Sequence, residues 1–378
     1  MIAQSVFWSS IAFILYAYFG YPLLLLALSL FRSRPVKKGD ITPSVSFIVT
    51  AYNEEDRIKA KIENTFEQDY PEDKLEIIVA SDCSTDRTDE IVKSFRHRGV
   101  RLVRAAERKG KENAQKHAVD AASGEILVFS DAAAILQPDG ISKVVKNFND
   151  PTVGCVSSTD KFIDRDGKLS GEGAYVRYEM FLRSLESRVN TLVGLSGSFF
   201  AARKEVCRNW AADLQSDFNT LLNSVKSGLR GVSDTESVGF YKNILHEQKE
   251  FDRKVRTVVR GISVFMRSLP LLNIFKYGLL SWQLASHKLC RWLVPFTMIL
   301  AFVSNALIIT YSTFYLYAFI LQAAFYTIAF GGAWTDIFSK RNILKIPSFF
   351  VLVNLSILNA WLRYARGDRM VSWTPSKR

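Results

Sequence analysis

The chain has 378 residues, of which 48% are apolar and 23% are charged, and its formal net charge at pH 7 is +12. Its four cysteines have neither paired nor metal-type spacing, which excludes a disulfide framework and favours reduced thiols in a cytosolic domain. The basic residues cluster beside apolar segments and no base-stacking motif occurs, so we expect anionic lipids and diphosphates as partners and exclude nucleic acid.

The first predicted element is a membrane anchor over residues 1–34. Phe7 to Phe31 carry no charge, and they exceed the roughly 20 residues that cross a bilayer. The segment lacks a basic leading region and is too long for the apolar part of a signal peptide, so an uncleaved anchor is expected. Four basic residues at 32–38 follow directly, and the positive-inside rule then places the next block in the cytosol.

The block from 35 to 245 alternates short apolar runs with polar-faced helical patterns. This order predicts an α/β domain of Rossmann-like type, with a mainly parallel sheet and helices on both faces. The predicted strands are Val45–Tyr52, Leu75–Ala80, Val100–Val103, Ile126–Phe129 and Val153–Ser157, with a turn entering a further strand at Gly194–Phe200. The predicted helices are Glu54–Gln68, Asp86–Phe95, Lys111–Ala122, Gly173–Arg188 and Asp217–Lys226.

Beyond this block we predict interfacial amphipathic helices over 246–288 and a C-terminal membrane region with a basic tail over 289–378. Gln248–Met266 mixes basic and apolar residues at helical spacing, which is typical of a helix lying in the membrane interface. Trp292–Thr310 and Phe314–Gly331 are predicted to span the bilayer.

A last apolar stretch, Ile346–Leu362, leaves two alternatives open. Asn354 and Asn359 interrupt it, and basic residues flank it on both sides. It either spans, with one basic flank outside, or forms a re-entrant or interfacial element.

The acidic residues mark the candidate site. Asp82 and Asp131 directly follow predicted strands, and Asp217 opens a predicted helix. In such an alternating fold the carboxyl ends of the strands form the ligand crevice. Carboxylates placed there can hold a nucleotide, a metal and a proton.

Five motifs, in this order and spacing, resemble the motif series of family 2 glycosyltransferases. These are the membrane-associated, inverting enzymes related to cellulose, chitin and hyaluronan synthases. The resemblance implies a cytosolic domain of GT-A type and covers nearly the whole chain. The motifs are Thr50-Ala51-Tyr52-Asn53-Glu54-Glu55, Ser81-Asp82-Cys83-Ser84-Thr85-Asp86, Arg108-Lys109-Gly110-Lys111, Ser130-Asp131-Ala132 and Ser216-Asp217-Phe218.

The resemblance implies that the first motifs bind the nucleotide of a nucleoside-diphosphate sugar. Ala51, Tyr52 and Glu54 would touch the nucleoside, and Asp82 would accept a hydrogen bond from the base. A cap on the following helix is the alternative for Asp82. Lys111 would bind the diphosphate together with the helix N-terminus that it opens, and a solvated lysine is its alternative.

Asp131 is the implied metal and phosphate ligand, with Mg²⁺ or Mn²⁺ as cofactor. The family commonly shows Asp-x-Asp here, whereas this chain has Asp131-Ala132-Ala133. Asp131 with the diphosphate and water would complete the metal shell. A strand-end cap is the alternative role.

Asp217 matches the general base of the family, which removes the proton of the acceptor hydroxyl. Asp213 is a rival for this role, and helix capping is the other reading of Asp217. Arg253 and Arg256 lie where processive relatives carry Gln-x-x-Arg-Trp, and they would stabilise the departing diphosphate. Membrane-surface basicity is their alternative. Thr257 replaces the Trp, and this together with the few spanning helices favours short or single additions, whereas the interfacial helix and the paired spans would allow some translocation, so a processive polymerase is the alternative.

The acceptor side is expected at Gly197 and Ser198, where small side chains let a sugar ring approach the backbone. Tyr178 would line the acceptor path or pack against the domain.

The sequence thus predicts an inverting glycosyltransferase, multi-pass in a bacterial-type inner membrane. It would act on a glycan or polyprenyl-linked acceptor in cell-surface polysaccharide or glycolipid synthesis, with membrane lipids and export-complex components as further partners. A catalytically silent structural or regulatory partner in an export complex is the alternative. The motifs fix neither donor sugar nor base.

Overall fold

The structure of the chain is a computed structural model that describes residues 1–163, 174–242, 247–334 and 342–371. Its backbone contacts divide it into two compact units. The sheet unit consists mainly of Ala27–Leu245 with Ser263–Leu269, and the helical unit mainly of Met1–Leu26, His246–Ile262 and Pro270–Arg369.

The helices and strands of both units are numbered in chain order. The helices are α1 (Ile2–Leu15), α2 (Tyr21–Phe31), α3 (Ile58–Phe66), α4 (Thr88–Ser94), α5 (Lys111–Ala121), α6 (Gly140–Lys146), α7 (Ala174–Val189), α8 (Ser216–Lys226), α9 (Glu247–Arg267), α10 (Ile274–Tyr277), α11 (Leu279–Leu284), α12 (Arg291–Ile308), α13 (Thr313–Trp334) and α14 (Asn342–Ala365). The strands are β1 (Val45–Ala51), β2 (Leu75–Ser81), β3 (Arg101–Arg104), β4 (Ile126–Asp131), β5 (Ile135–Leu136), β6 (Val153–Ile163), β7 (Phe199–Arg203) and β8 (Arg230–Lys242).

Among the described residues, the strands form one eight-stranded mixed sheet in the order β3-β2-β1-β4-β7-β6-β8-β5. The first four are parallel, and β1 lies between β2 and β4. All seven residues of β1 are buried, as expected for a parallel strand covered on both faces. The predicted strands of this half are confirmed to within a residue or two.

The second half of the sheet departs from the simple alternation. β7 runs antiparallel to both β4 and β6, and β8 is parallel to β6. β6 is therefore parallel to β4, and the two strands end at the same edge of the sheet. β6 reaches Ile163, well past the predicted end at Ser157, because Thr159 to Ile163 pair with Val238 to Lys242 of β8 although the polar residues after Val156 break the apolar run.

Helices cover both faces of the sheet, as predicted. One buried cluster joins the sheet to α3, α4 and α6 through Ile62, Val92 and Val144. The other joins it to α5 and α8 through Ala118 and Leu221. The predicted start of the α7 helix at Gly173 lies outside the described residues.

The segment after the anchor is bound to the sheet unit. The Arg34 amide donates to the carbonyl of Arg188 at 2.8 Å. The Arg230 guanidinium donates to the Arg34 carbonyl at 2.7 Å and pairs with Asp150 at 2.9 Å. Both partners of this ion pair are buried, so its hydrogen bonds must be satisfied within the protein.

In the helical unit, four described stretches are long and apolar enough to cross a membrane. They are Ile2–Phe31, Leu279–Ile308, Thr313–Phe330 and Pro347–Ala365. The last lies within the continuous helix α14, and the Asn354 amide donates to the Phe350 carbonyl of its own helix at 2.9 Å. By length and composition this helix could cross a membrane, and the choice between the spanning and the interfacial alternative for Ile346–Leu362 stays a prediction.

Candidate active site

The candidate site lies at the carboxyl edge of the parallel strands. In the register of the sheet, Ala51 of β1 is opposite Ser81 of β2, and Thr50 is opposite Asp131 of β4. The Asp82 amide donates to the carbonyl of Ala51 at 3.0 Å. The strands therefore bring Ala51, Asp82 and Asp131 to one edge, as predicted from their place after apolar runs.

The Asp82 carboxylate binds the loop that leads into α5. It is fully buried and accepts hydrogen bonds from the amides of Lys109, at 3.2 Å, and Gly110, at 3.0 Å. Burial raises the pKa of Asp82, although these amides oppose the shift. The helix-cap alternative for Asp82 is wrong, because the Asp86 carboxylate accepts from the amide of Thr88 at 3.0 Å.

Tyr52 and Glu54 lie beside this loop and the start of α3. The guanidinium of Arg108 stacks on the Tyr52 ring at 3.9 Å from its centroid, which is a cation–π contact. The Glu54 carboxylate pairs with Arg57 at 2.9 Å. The structure thus places Tyr52 next to the loop that Asp82 binds. The nucleoside contacts of Ala51, Tyr52 and Glu54 stay a prediction.

Lys111, the first residue of α5, connects two parts of the site. Its ammonium donates to Asp131 Oδ1 at 2.5 Å and to the carbonyl of Gly197 at 2.9 Å. Lys111 is therefore not a solvated surface lysine, which was its alternative reading. The Asp131 amide also donates to the carbonyl of Ser198 at 3.0 Å.

Asp217, on the first turn of α8, lies against Gly197. A Cβ atom built on Gly197 would be 2.9 Å from Asp217 Oδ2, closer than real Cβ contacts allow. The same oxygen accepts a hydrogen bond from the Gln215 amide group at 3.1 Å. Gly197 thus brings the Asp217 carboxylate next to the Lys111 and Asp131 pair.

The rival base, Asp213, is held in a different contact. Its carboxylate pairs with Arg267 at 3.0 Å and is about half exposed. Of the two carboxylates, only Asp217 approaches Gly197 among the described contacts.

The other predicted residues, Tyr178, Arg253 and Arg256, lie on the helices α7 and α9. Tyr178 is half buried on α7, and that helix contacts the loop before Gly197 through Arg183, which donates to the Leu195 carbonyl at 3.5 Å. Arg253 and Arg256 lie one turn apart on α9, and burial lowers the pKa of Arg256, as do the charges of Arg260 and Arg253. The acceptor and leaving-group roles of these residues stay predictions.

Sequence reasoning missed two carboxylates of this region. Asp160, near the end of β6, accepts from the Ser196 hydroxyl at 2.7 and 2.9 Å. Glu112 is buried on the first turn of α5, and its carboxylate accepts from the Ser216 amide at 3.5 Å. Glu112 directly follows the predicted phosphate ligand Lys111, and Asp160 lies in the polar run that follows the predicted strand Val153–Ser157. The positions of both carboxylates beside predicted elements could therefore have indicated them.

It also missed Lys61, which is fully buried on α3. Its ammonium donates to the carbonyl of Ala134 at 2.7 Å, and the Asn64 side chain exchanges two hydrogen bonds of 2.9 Å with the backbone of Leu136. These bonds fix the segment that directly follows Asp131. Burial lowers the pKa of Lys61 to about 7, and the Asp131 charge partly opposes the shift.

This pKa makes the stability of the fold dependent on pH. Because the unfolded chain holds the Lys61 proton up to about pH 10.5 while the folded chain loses it near pH 7, the unfolding free energy rises between these values. We expect a gain of about 2 kcal/mol from pH 7 to pH 9 from this residue. Thermal unfolding of the full chain in detergent should show that Lys61→Met loses this increment, whereas Lys116→Met, at a partly exposed lysine, keeps it. If the unfolding free energy of Lys61→Met rose between pH 7 and pH 9 as much as that of the unchanged protein, Lys61 would not be the source of the pH dependence.

The donor set fits a metal that arrives with the diphosphate. The residues after Asp131 are Ala132 and Ala133, and no group of three or more His, Cys, Asp or Glu side chains suited to a metal occurs in the described part of the chain. Lys111 engages Oδ1 of Asp131, which leaves Oδ2 as a ligand. Mg²⁺ and Mn²⁺ are commonly held by one or two carboxylates plus substrate phosphates.

Comparison with known proteins agrees with this geometry. Residues 46–210 match the model of glycosyl transferase family 2. The chain is similar to poly-beta-1,6-N-acetyl-D-glucosamine synthases of Staphylococcus aureus, with 27% identity over 207 residues covering 52% of this chain and 49% of the relative. The synthase of the same name from Staphylococcus epidermidis is 25% identical over 178 residues, which cover 45% of this chain and 42% of the relative. The chain spans about half the length of these relatives.

A solved structure resembles nearly the whole chain. Mannosyltransferase PcManGT from Pyrobaculum calidifontis, in complex with GDP-Man and Mn²⁺, matches with a TM-score of 0.71 and 22% identity, over 97% of this chain and 99% of that one. At this identity the likeness shows the fold. Fold, motif order and family match therefore agree, and the predicted family is confirmed for residues 46–210: this part of the chain is a glycosyl transferase family 2 domain, and the fold is of GT-A type.

Proposed function

We propose that this protein is an inverting glycosyltransferase that moves a sugar from a nucleoside-diphosphate donor to a hydroxyl of a glycan or lipid-linked acceptor. One observation supports this most directly. The Gly197 carbonyl accepts from Lys111, and a Cβ added at Gly197 would be 2.9 Å from Asp217 Oδ2, so the phosphate-side cation and the candidate base both lie next to one small residue. A sugar ring needs that arrangement, because its anomeric carbon must lie between the leaving diphosphate and the attacking hydroxyl.

The chemistry assigns each group a step. The diphosphate binds at the N-terminus of α5, where backbone N–H groups and the Lys111 ammonium attract it. Asp131 would hold a divalent cation, which when bound would supply positive charge against the leaving group. Asp217 takes the proton of the acceptor hydroxyl as its oxygen bonds to the anomeric carbon, and the bond to the diphosphate breaks with its electron pair leaving on the phosphate oxygen.

We further propose that the sheet unit lies on the cytosolic side of a bacterial-type inner membrane. The basic segment after the anchor is bonded to that unit, for example through Lys38, which pairs with Asp234 at 2.9 Å. Because basic flanks of membrane segments stay in the cytosol, the domain to which this flank is bonded lies there too.

The donor sugar and the product are further parts of the proposal. The Staphylococcus relatives are named as polysaccharide synthases and PcManGT as a mannosyltransferase. These names support a hexose or N-acetylhexosamine donor and a cell-surface polysaccharide or glycolipid product. Thr257, in place of an aromatic platform, supports short or single additions.

A screen of sugar nucleotides tests the proposal. The purified full chain, with Mg²⁺ or Mn²⁺, should release a nucleoside diphosphate from at least one of UDP-glucose, UDP-N-acetylglucosamine and GDP-mannose. Chelation of the metal should lower that release. Product length with one labelled donor would then separate single addition from polymerisation.

The second candidate is a silent partner in a polysaccharide synthesis or export complex. The alanines after Asp131 and the ion pair between Asp131 and Lys111 favour it, because both remove ligands from a metal. No release from any donor in the screen, by a chain shown to be folded, would decide for this alternative.

A further inference from the structure

Asp131 is followed by a turn of three alanines, Ala132–Ala134, which has no polar side chain of its own. The Asp131 amide donates to the carbonyl of Ser198 at 3.0 Å, and the Asp131 carbonyl accepts from the amide of Ala134, also at 3.0 Å. The conformation of the turn therefore contributes to the direction in which the Asp131 carboxylate leaves β4. Whatever holds Ala134 from its other side also helps to hold the candidate metal ligand.

A row of buried polar side chains on α3 holds this turn and the segment after it. Lys61 donates to the carbonyl of the last alanine at 2.7 Å, and Asn64 exchanges two hydrogen bonds of 2.9 Å with the backbone of Leu136. Gln68, just beyond the end of α3, accepts from the amide of Ile141 at 3.2 Å. All three side chains are buried. Their spacing of three and four residues places them on one face of the helix.

Lys61 is the member of this row whose residue type the packing does not explain. Asn64 and Gln68 hold backbone groups with neutral amides, which cost less to bury than an ammonium group. A lysine is almost never fully buried unless it is paired. Lys61 is nevertheless 0% exposed, and its ammonium lies 5.1 Å from the centre of the Phe47 ring in the core. A residue that breaks a local rule in this way is expected at a functional site.

We infer that Lys61 is a positioning residue for the metal and diphosphate site: it fixes the turn Ala132–Ala134 from inside the core and thereby orients the Asp131 carboxylate. This rests on the proposed function, in which Asp131 would hold the cation that accompanies the donor diphosphate. Because Ala132 and Ala133 supply no side-chain ligand, the direction of the Asp131 carboxylate is decisive. Groups that orient a metal ligand without touching the metal typically contribute about 10- to 100-fold to metal affinity or activity.

The test measures binding of UDP and GDP to the full chain in detergent by calorimetry, with Mn²⁺ and with a chelator. In the unchanged protein, Mn²⁺ should tighten the binding of at least one of the two nucleotides. Lys61→Met keeps the approximate size of the side chain but removes the donor to the Ala134 carbonyl. We expect it to weaken Mn²⁺-dependent binding about 10- to 100-fold. Binding in chelator should stay within about twofold, because the groups that meet the nucleotide itself are unchanged.

Asn64→Leu is the matched control, because it removes two hydrogen bonds from the same face of α3 without touching Ala134. It leaves buried backbone groups of Leu136 without their partners, so it should lower the thermal unfolding midpoint. Its Mn²⁺-dependent binding should nevertheless stay within about twofold of the unchanged protein. An equal loss of that binding in both variants, or no loss in Lys61→Met, would overturn the inference. Should Lys61→Met not fold, Lys61→Gln replaces it, with the same loss expected because its amide group is nearer to the backbone than the lysine amine.

The binding measurements also separate this inference from the proposed function. Binding of a nucleoside diphosphate needs neither acceptor nor turnover. A chain that shows the expected difference between Lys61→Met and Asn64→Leu but transfers no sugar would reject the proposed reaction and still support the role of Lys61. Absence of Mn²⁺-dependent binding in the unchanged protein would overturn the inference, even if that protein transferred sugar in the presence of a chelator.

Discussion

Replacing Asp217 with Asn is expected to lower the transfer rate by about 10²- to 10⁴-fold, the usual contribution of a general base. Asn keeps the shape of the side chain, so its bond with Gln215 and its contact with Gly197 can persist. What it loses is the capacity to take a proton. Donor affinity should therefore stay close to that of the unchanged protein, and kcat should carry the loss.

Asp213→Asn is the matched control for this experiment. Asp213 lies four residues earlier and pairs with Arg267 at the surface, where an ion pair contributes little to stability. Its replacement should leave the transfer rate nearly unchanged. Initial rates with a labelled donor and calorimetric donor binding would measure both variants. Unchanged turnover in Asp217→Asn, or an equal loss in Asp213→Asn, would reject Asp217 as the base.

Gly197→Ala should lower kcat by about 10²-fold without unfolding the protein. The added Cβ would be 2.9 Å from Asp217 Oδ2, so the carboxylate must move. A displacement of about 1 Å at a catalytic group is sufficient for a loss of that size. Gly197 is not among the glycines with positive φ, so alanine fits its backbone. The thermal unfolding midpoint should therefore change little.

A double-mutant cycle tests whether the effect passes through Asp217. If Gly197→Ala acts by displacing that carboxylate, combining it with Asp217→Asn should give no further loss beyond Asp217→Asn alone. If the fold-losses in transfer rate of the two single variants multiply in the double variant, alanine at Gly197 blocks the substrate directly. Rates at saturating donor would distinguish the two outcomes.

The strands β1, β2 and β4 of the parallel half of the sheet could be predicted from sequence because they are largely buried on both faces. Burial on both faces requires continuous apolar runs, and the residues that end those runs, Ala51, Asp82 and Asp131, then lie at one edge. Asp217 could be found in the same way, since it opens a helix after a polar turn. These signals are local in the sequence.

The remainder of the site depends on contacts between distant residues. Asp160, which is partly buried, accepts a hydrogen bond from Ser196, 36 residues away. The buried Lys61 donates to Ala134, 73 residues away. In both cases the hydrogen-bond partner is far away in the sequence, and the periodic pattern of apolar residues does not indicate which residue it is. The extension of β6 past Ser157 was missed for the same reason, because hydrogen bonds replace the apolar residues expected in a strand.

The buried contact between Arg230 and the Arg34 carbonyl has a practical consequence for truncation. A fragment that begins at residue 35, the boundary that hydropathy alone suggests, loses the Arg34 carbonyl that accepts from an Arg230 N–H at 2.7 Å, while the ion pair between Arg230 and Asp150 stays buried. A buried donor left without an acceptor costs about 1–3 kcal/mol. A water-soluble fragment of the sheet unit should therefore begin no later than Arg32, whose side chain also donates to the Val189 carbonyl at 3.1 Å.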